Sequence, residues 1–275
     1  MSPFGVEAKS PVATMLPAGD LSAGMLLALF NRYCVAPLNA DLKKDEVITS
    51  LDLLAVRAVI TTAAVAERIG SQPEHIKHIV VVPDEEIAGI FSFRLRNGDL
   101  PQARSTKAPA LATNGPEDYV LLLQTSGTTS KPKTVPVTLK RLVLGSLVYA
   151  EGQGVTAADN CLNALPFFHI GGILTSLLSV VLNGGSVICA DGPMRDASIL
   201  AWFRDFKITY YSSVPTGHQI VMQIFENADS AALQGVKLRA VATGAAHLPH
   251  PLAIRLRDAL GARVIPTYGM SECHP

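Results

Sequence analysis

Thr125–Lys133 reads TSGTTSKPK and directly follows the apolar run Tyr119–Gln124, YVLLLQ. The run is rich in residues that suit a covered strand, and it leads into a loop of hydroxyls, one glycine and two lysines. Such a loop suits an anion. Gly127 lets the backbone approach closely, Thr125, Ser126, Thr128 and Thr129 offer hydroxyls and N–H groups, and Lys131 and Lys133 add positive charge. The plainer reading is an exposed polar turn, since Ser, Thr and Gly are ordinary turn residues. A P-loop of the GxxxxGK[ST] kind is excluded, because Pro132 stands where its second Gly would be.

Working outward, apolar runs alternate with helical patterns. Strands are expected at 12–16, 56–61, 79–82, 119–124, 161–165, 186–190, 208–213, 237–242 and 262–266. Helices are expected at 20–31, 138–149, 170–182, 197–206, 217–227 and 251–260, the last with Pro251 at its start and Gly261 just past its end. Gly184 supplies a left-handed stop after the helix ending at Leu182. Residues 84–116 are polar and rich in Pro and Gly, and read as an irregular surface excursion. The alternation predicts an α/β fold of layered, mostly parallel sheets flanked by helices.

Lys plus Arg and Asp plus Glu number 23 each among 275 residues, so no global field favours nucleic acid or an anionic membrane. Charged residues make up 17%, and mean hydropathy is +0.29, as expected where strands are covered on both faces. Apolar runs fall short of the ~20 residues that span a bilayer, and no basic-then-apolar leader is visible at the amino end. Cys34, Cys161, Cys189 and Cys273 are scattered without a CxxC pair. They predict neither a zinc site nor a disulfide framework, and point to a reducing cytoplasmic or organelle-matrix compartment. The close pairs His75/His78 and His247/His250 lack companion ligands and read as surface or capping histidines.

TSGTTSKPK resembles the T-S-G-T-T-G-x-P-K-G loop of the acyl-adenylate-forming superfamily, which includes acyl-CoA synthetases, luciferases and peptide-synthetase adenylation domains. Ser130 and Thr134 depart from it where the family has Gly, and a Cβ there narrows the backbone choices if positive φ is required. The Ser variant is similar to that of oxalate and related small-acid CoA ligases.

Further stretches resemble family segments in the same order. Leu165–Gly172, LPFFHIGG, resembles L-P-x-F-H-x-x-G, and implies that His169, Gly171 and Gly172 border the acid pocket, with His169 gating entry. A histidine is a poor partner for a substrate ammonium, which favours an acid without an α-amino group. Val214-Pro215-Thr216 resembles V-P-T before a pocket-lining helix, and Thr243–Ala246 a small-residue turn laid against adenine. Thr267–Glu272, TYGMSE, resembles G-Y-G-x-T-E. It implies Tyr268 and Gly269 at adenine, Ser271 at the α-phosphate or acid, and Glu272, with Thr128, near Mg²⁺. Lys133 and Glu272, with His169, are then the residues expected to serve the chemistry.

The resemblance spans about residues 10–275 and implies a partial large domain, cut at both ends. Family members carry a ribose-binding aspartate, a hinge and a small mobile domain with a catalytic lysine beyond this point. The implied function is ATP-dependent activation of a small carboxylic acid as its acyl-adenylate, then transfer to a thiol, CoA above others. A domain loading a carrier protein, or a non-catalytic nucleotide-binding relative, are the alternatives.

Overall fold

The structure, a computed structural model, describes residues 4–84, 86, 90–96, 98, 113–125, 132–190, 198–231 and 233–273. The chain divides into two compact units: residues 1–17 with 21–141, and residues 18–20 with 142–275.

The first unit holds β1 (Pro11–Met15), α1 (Asp20–Phe30), β2 (Cys34–Pro37), α2 (Lys44–Leu53), β3 (Ala58–Thr61), α3 (Ala63–Ile69), β4 (Lys77–Pro83), β5 (Phe91–Leu95), β6 (Tyr119–Thr125) and β7 (Lys133–Thr138). They form one sheet in the order β5-β4-β3-β1-β2-β6-β7. Alternate residues of the central strands feed two cores. Ala13, Met15 and Val59 pack with Val47, Leu51, Val65 and Ile69, while Val12, Ala58 and Ile60 pack with Met25 and Ile79. Two caps set helix starts: Lys43 N–H donates to the Glu46 carboxylate at 2.8 Å, and Val65 N–H donates to Thr62 Oγ1 at 3.3 Å.

The helix α4 (Leu139–Gln153) begins in the first unit and ends in the second. The second unit continues with β8 (Asn160–Asn163), a π-wound helix (Gly171–Leu178) completed by α5 (Ser179–Val181), β9 (Ser186–Cys189), α6 (Ser198–Asp205), β10 (Tyr210–Ser213), α7 (Pro215–Asn227), β11 (Ala240–Thr243), α8 (His250–Leu260) and β12 (Arg263–Pro266). Every pairing in its sheet is parallel, in the order β12-β11-β10-β8-β9. Leu162, Tyr211 and Val241 pack with Phe203, Val221, Phe225, Leu252 and Leu256 on one face. Cys161, Tyr210, Ala240 and Ala242 pack with Ala150 and Val180 on the other.

The layered, mostly parallel α/β fold is as expected, and Gly261 closes α8 in the left-handed conformation at φ +61. Several details differ. Residues 84–116 hold a strand: Phe91, Phe93 and Leu95 alternate with Ser92 and Arg94, and β5 pairs antiparallel with β4. Lys133–Thr138 is a strand too, antiparallel to β6, so Thr125 and Lys133 face each other across the ladder at the ends of the candidate phosphate loop. Thr134 sits in that strand without positive φ, so its Cβ costs the backbone nothing there. His78 is a core residue and not a surface one: its Nε2 lies 2.9 Å from Thr61 Oγ1. Burial, aided by the Arg96 charge, lowers its pKa to about 4. His75, His247 and His250 are not buried. Among the described residues no cluster of His, Cys, Asp or Glu could hold a metal by itself, and no helix is long and apolar enough to cross a membrane.

Neither sheet order was visible as a repeat in the sequence, yet the two share one. With β1 and β8 as first strands, both centres run second-first-third-fourth. In such doubly wound sheets the order reverses beside the first strand, and ligands bind outside the carboxyl ends of the strands at that point. In the second unit the reversal lies between β8 and β10.

Candidate active site

Of the nine-residue candidate phosphate loop, the first unit places Thr125 at the end of β6 and Lys133 at the start of β7. Ser126, Gly127, Thr128, Thr129, Ser130 and Lys131 lie outside the described residues. One rung inward, Gln124 pairs with Thr134, and both Gln124 Nε2 and Thr134 Oγ1 are buried without a hydrogen-bond partner.

In the second unit the remaining predicted residues gather along one edge. Each follows the carboxyl end of a parallel strand: Leu165–His169 after β8, Val214 after β10, Gly244–Ala246 after β11, and Tyr268–Glu272 after β12. The first two flank the reversal of strand order.

The His169 segment is tightly braced. Asn163, at the end of β8, accepts from Leu165 N–H at 3.1 Å through Oδ1 and donates Nδ2 to the Leu165 carbonyl at 3.3 Å. His169 N–H donates to the Pro166 carbonyl at 3.2 Å. Gly172 must be glycine, because an added Cβ would lie 2.5 Å from the Pro166 oxygen and 2.9 Å from the Leu165 oxygen. His169 is exposed in part, its ring lies against that of Phe168 with centroids 4.5 Å apart, and partial burial lowers its pKa. The imidazole is therefore neutral at pH 7.

The π-wound helix that follows carries a run of side-chain bonds four residues apart. Thr175 Oγ1 donates to the Gly171 carbonyl at 2.6 Å, Ser179 Oγ to Thr175 at 2.7 Å, and Asn183 Nδ2 to Ser179 at 2.8 Å. π-winding within helices is frequent at functional sites, and here it begins two residues after His169.

The adenine-turn candidate is held from both sides. Gly244 N–H donates to the Ser213 carbonyl at 3.3 Å, and Thr267 donates to the Thr243 carbonyl from N–H at 2.8 Å and from Oγ1 at 3.0 Å. Ala245 sits at φ +66, a left-handed conformation costly for a residue with a Cβ. Ala245 and Ala246 are exposed and small, and Tyr268 is 83% exposed. Gly269 and Ser271 are half-buried, Glu272 is exposed and makes an interaction of its own, and His274 lies outside the described residues.

Sequence reasoning gave no role to Asn163, Thr175, Thr267 or His218. Their only signal was a polar residue in or beside an otherwise apolar strand or helix.

The sequence matches the family described as AMP-binding enzyme over residues 2–275. The chain belongs to this family. Its similarity to acyl-CoA synthetase FUM10 of Gibberella moniliformis is 29% identity, over 100% of this chain and 51% of that protein. To the oxalate–CoA ligase of Arabidopsis thaliana it is 34% over 161 residues, 58% of this chain and 31% of that one. An acyl-CoA synthetase from Brucella canis shares the fold at 20% identity and a TM-score of 0.76, over 98% of this chain and 48% of that one. The chain thus spans about half or less of the length of each of these proteins.

Proposed function

We propose that this protein is the large-domain part of an acid–thiol ligase. In this reading it activates a small carboxylic acid with MgATP, giving an acyl-adenylate and pyrophosphate, and the acyl group passes to a thiol, CoA above others. The observation that carries the proposal is the assembly of His169, Val214, Gly244–Ala246 and Tyr268–Glu272 along the carboxyl edge of one parallel sheet, beside its reversal point.

Each residue has a task that its chemistry supports. Thr125 and Lys133 frame the phosphate loop, and Lys133 supplies a charge that partly neutralises the triphosphate, so that a carboxylate can approach phosphorus. Tyr268 offers its open face to adenine, with Gly244, Ala245 and Ala246 leaving room for the base. Ser271 donates to the α-phosphate or the acid. Glu272 fits Mg²⁺, an ion usually held by one or two carboxylates together with substrate phosphates and waters. Bound there, the ion would neutralise phosphate charge. Neutral His169, beside Gly171 and Gly172, borders the acid without adding a charge that would trap it. The similarity to oxalate– and sulfoacetate–CoA ligases supports a small polar acid.

Since the chain spans about half its relatives, nucleotide binding is the direct test. Calorimetry with MgATP and AMP is expected to give measurable affinity. Tyr268→Ala should weaken AMP about tenfold, the loss of one stacked base contact of roughly 1–3 kcal/mol. Lys133→Ala should weaken ATP while sparing AMP. A chain that binds neither nucleotide would refute the reading.

A further inference from the structure

The helix that follows His169 carries a bonding pattern that the proposed chemistry does not use. Over Gly171–Leu178 it is π-wound, a rare winding whose bonds run from residue i to i−5. Ser179 shows the shift directly, because its N–H donates to the Leu174 carbonyl, five residues back. Its Oγ donates to the Thr175 carbonyl, four residues back, at 2.7 Å. Thr175 Oγ1 likewise donates to the Gly171 carbonyl at 2.6 Å, and lies 3.5 Å from Ser212 Oγ in β10. In an α-helix the carbonyl four residues back is served by the backbone N–H. Here a hydroxyl reaches that carbonyl from both residues, and the Ser179 N–H has moved one carbonyl on. Both side chains are enclosed, Thr175 at 8% exposure and Ser179 at 0%. Any buried Ser or Thr in a helix can bond four residues back. The displaced N–H of Ser179 is what sets this run apart.

The helix is pinned at both ends by close backbone contacts. At its start, an added Cβ on Gly172 would lie 2.5 Å from the Pro166 oxygen. Just past its end, one on Gly185 would lie 2.8 Å from the Asp159 oxygen. Asp159 precedes β8 and Pro166 follows it, so β8 sets the distance between the two contacts. The number of residues joining them is set by the sequence, and only the winding can reconcile the two. A wider turn takes up chain that α-winding would lay out as length. Loss of one π turn changes the register by one residue, about 1.5 Å along the axis and about 100° around it. The far end is held by β9, since Ser186 N–H donates to the Asp159 carbonyl at 2.9 Å. The movement therefore falls on the helix start, where the His169 carbonyl accepts from Ile173 N–H at 3.4 Å.

We propose that Thr175 and Ser179 are positioning residues: their hydroxyls hold the π register between Gly172 and Gly185, and so fix the place of the His169 ring at the carboxyl edge of the sheet. The consequence for acid entry rests on the reading of His169 as a residue that borders the acid.

The test removes the hydroxyls and keeps the helix. Thr175→Val combined with Ser179→Ala deletes both bonds, whereas Thr175→Ser keeps the first and gives up only a methyl. Couplings across hydrogen bonds, measured by NMR on the whole chain, report which carbonyl the Ser179 N–H serves. Wild type and Thr175→Ser should couple it to Leu174, and the double variant to Thr175. The His169 pKa should rise toward about 6.5 in the double variant, as the ring leaves Phe168, and stay lowered in Thr175→Ser. The ring signals of His218, which meets Tyr211 on the other face of the sheet, should not move. A double variant that keeps the Leu174 coupling, or the wild-type His169 titration, overturns the proposal. So does one that moves His218 as much as His169, since that is general loosening. Should the double variant fail to fold, Thr175→Val and Ser179→Ala are read singly by the same measures, each expected to move His169 part of the way. A wild-type Ser179 N–H coupled to Thr175 refutes the lock outright. If His169 shifts in the double variant while wild-type protein binds no nucleotide, the positioning role stands and the ligase reading falls.

Discussion

Replacing Gly172 with Ala tests how closely the His169 segment is built. The new Cβ would stand 2.5 Å from the Pro166 oxygen and 2.9 Å from the Leu165 oxygen. An ordinary carbon–oxygen contact is about 3.3 Å or more, so the backbones must part by roughly 0.8 Å. Neither side can rotate away, since every clashing atom is main chain. Forced overpacking of this kind costs about 1–3 kcal/mol, offset by a helix-propensity gain approaching 1 kcal/mol for Gly→Ala. The net expectation is a loss of about 0–2 kcal/mol. Gly152 in α4 supplies the control, because a Cβ there meets nothing within 4 Å, and Gly152→Ala should gain up to about 1 kcal/mol. Urea unfolding followed by the fluorescence of Trp202, the sole tryptophan, reads both variants, since Trp202 packs against the core of the second unit. A Gly172→Ala protein as stable as Gly152→Ala would refute the close approach. In a ligase assay the same displacement should reach His169, and a misplacement near 1 Å can cost about 10²-fold in rate.

Acid should destabilise both units well before the carboxylates titrate. His78 and His218 have folded pKa values of about 4, below the unfolded value of about 6.5, so the unfolded chain takes up protons first. Stability is full above about pH 6.5 and falls toward pH 4, by about 2 kcal/mol per histidine between pH 7 and 5. Urea titrations at both pH values check this, and His218→Gln should flatten the slope seen by Trp202. Asp159→Asn should cost about 2–3 kcal/mol in the same assay, less than a fully buried pair because Arg239 is 35% exposed. An Asp159→Asn chain within about 0.5 kcal/mol of wild type would count against it. Ala245→Gly should stabilise by up to about 1 kcal/mol by relieving the left-handed backbone, and Ala245→Val should destabilise; melting temperatures would show both.

The reach of the sequence depends on what each residue type can announce. β-branched runs and glycine stops announce strands and helix ends, which is why β11, β12 and α8 were legible within a few residues. α2 escapes the pattern although Val47, Leu51 and Leu54 recur at helical spacing, because charged residues and Thr49 dilute the stripe. β7 was hidden by Pro136, a residue tolerated only at a sheet edge, where β7 lies. The π-winding of Gly171–Leu178 leaves no trace in a pattern that fits an α-helix equally well. At the candidate site, His169, Tyr268 and Glu272 were named because their segments resemble those of a family, and each lies after the carboxyl end of a parallel strand. Asn163, Thr267 and His218 were not, since each acts through register with a strand that only folding brings beside it.

The two ends of the second sheet are held in different ways. At the amino ends, Asp159 accepts from Arg239 through both oxygens at 3.0 Å, from Thr209 Oγ1 at 2.7 Å and from Thr156 N–H at 2.9 Å. Burial pushes the Asp159 carboxyl up, yet these donors together bring it below the usual range. That cluster ties together the segments leading into β8, β10 and β11 and exposes only 3% of the carboxylate side chain. At the carboxyl ends the side-chain bonds are of neutral groups, Thr267 Oγ1 to the Thr243 carbonyl and Asn163 to Leu165. Gly172 comes close to the Pro166 and Leu165 carbonyls, Gly217 to the Ser213 side chain and Gly244 to the Thr267 hydroxyl, and Ala245 is held left-handed by bonds of its neighbours. Strain of this kind persists only where the surroundings over-determine it. Anchoring the strands at one end frees the other to present exposed Ala246 and Tyr268, a surface that burial in the core would have consumed.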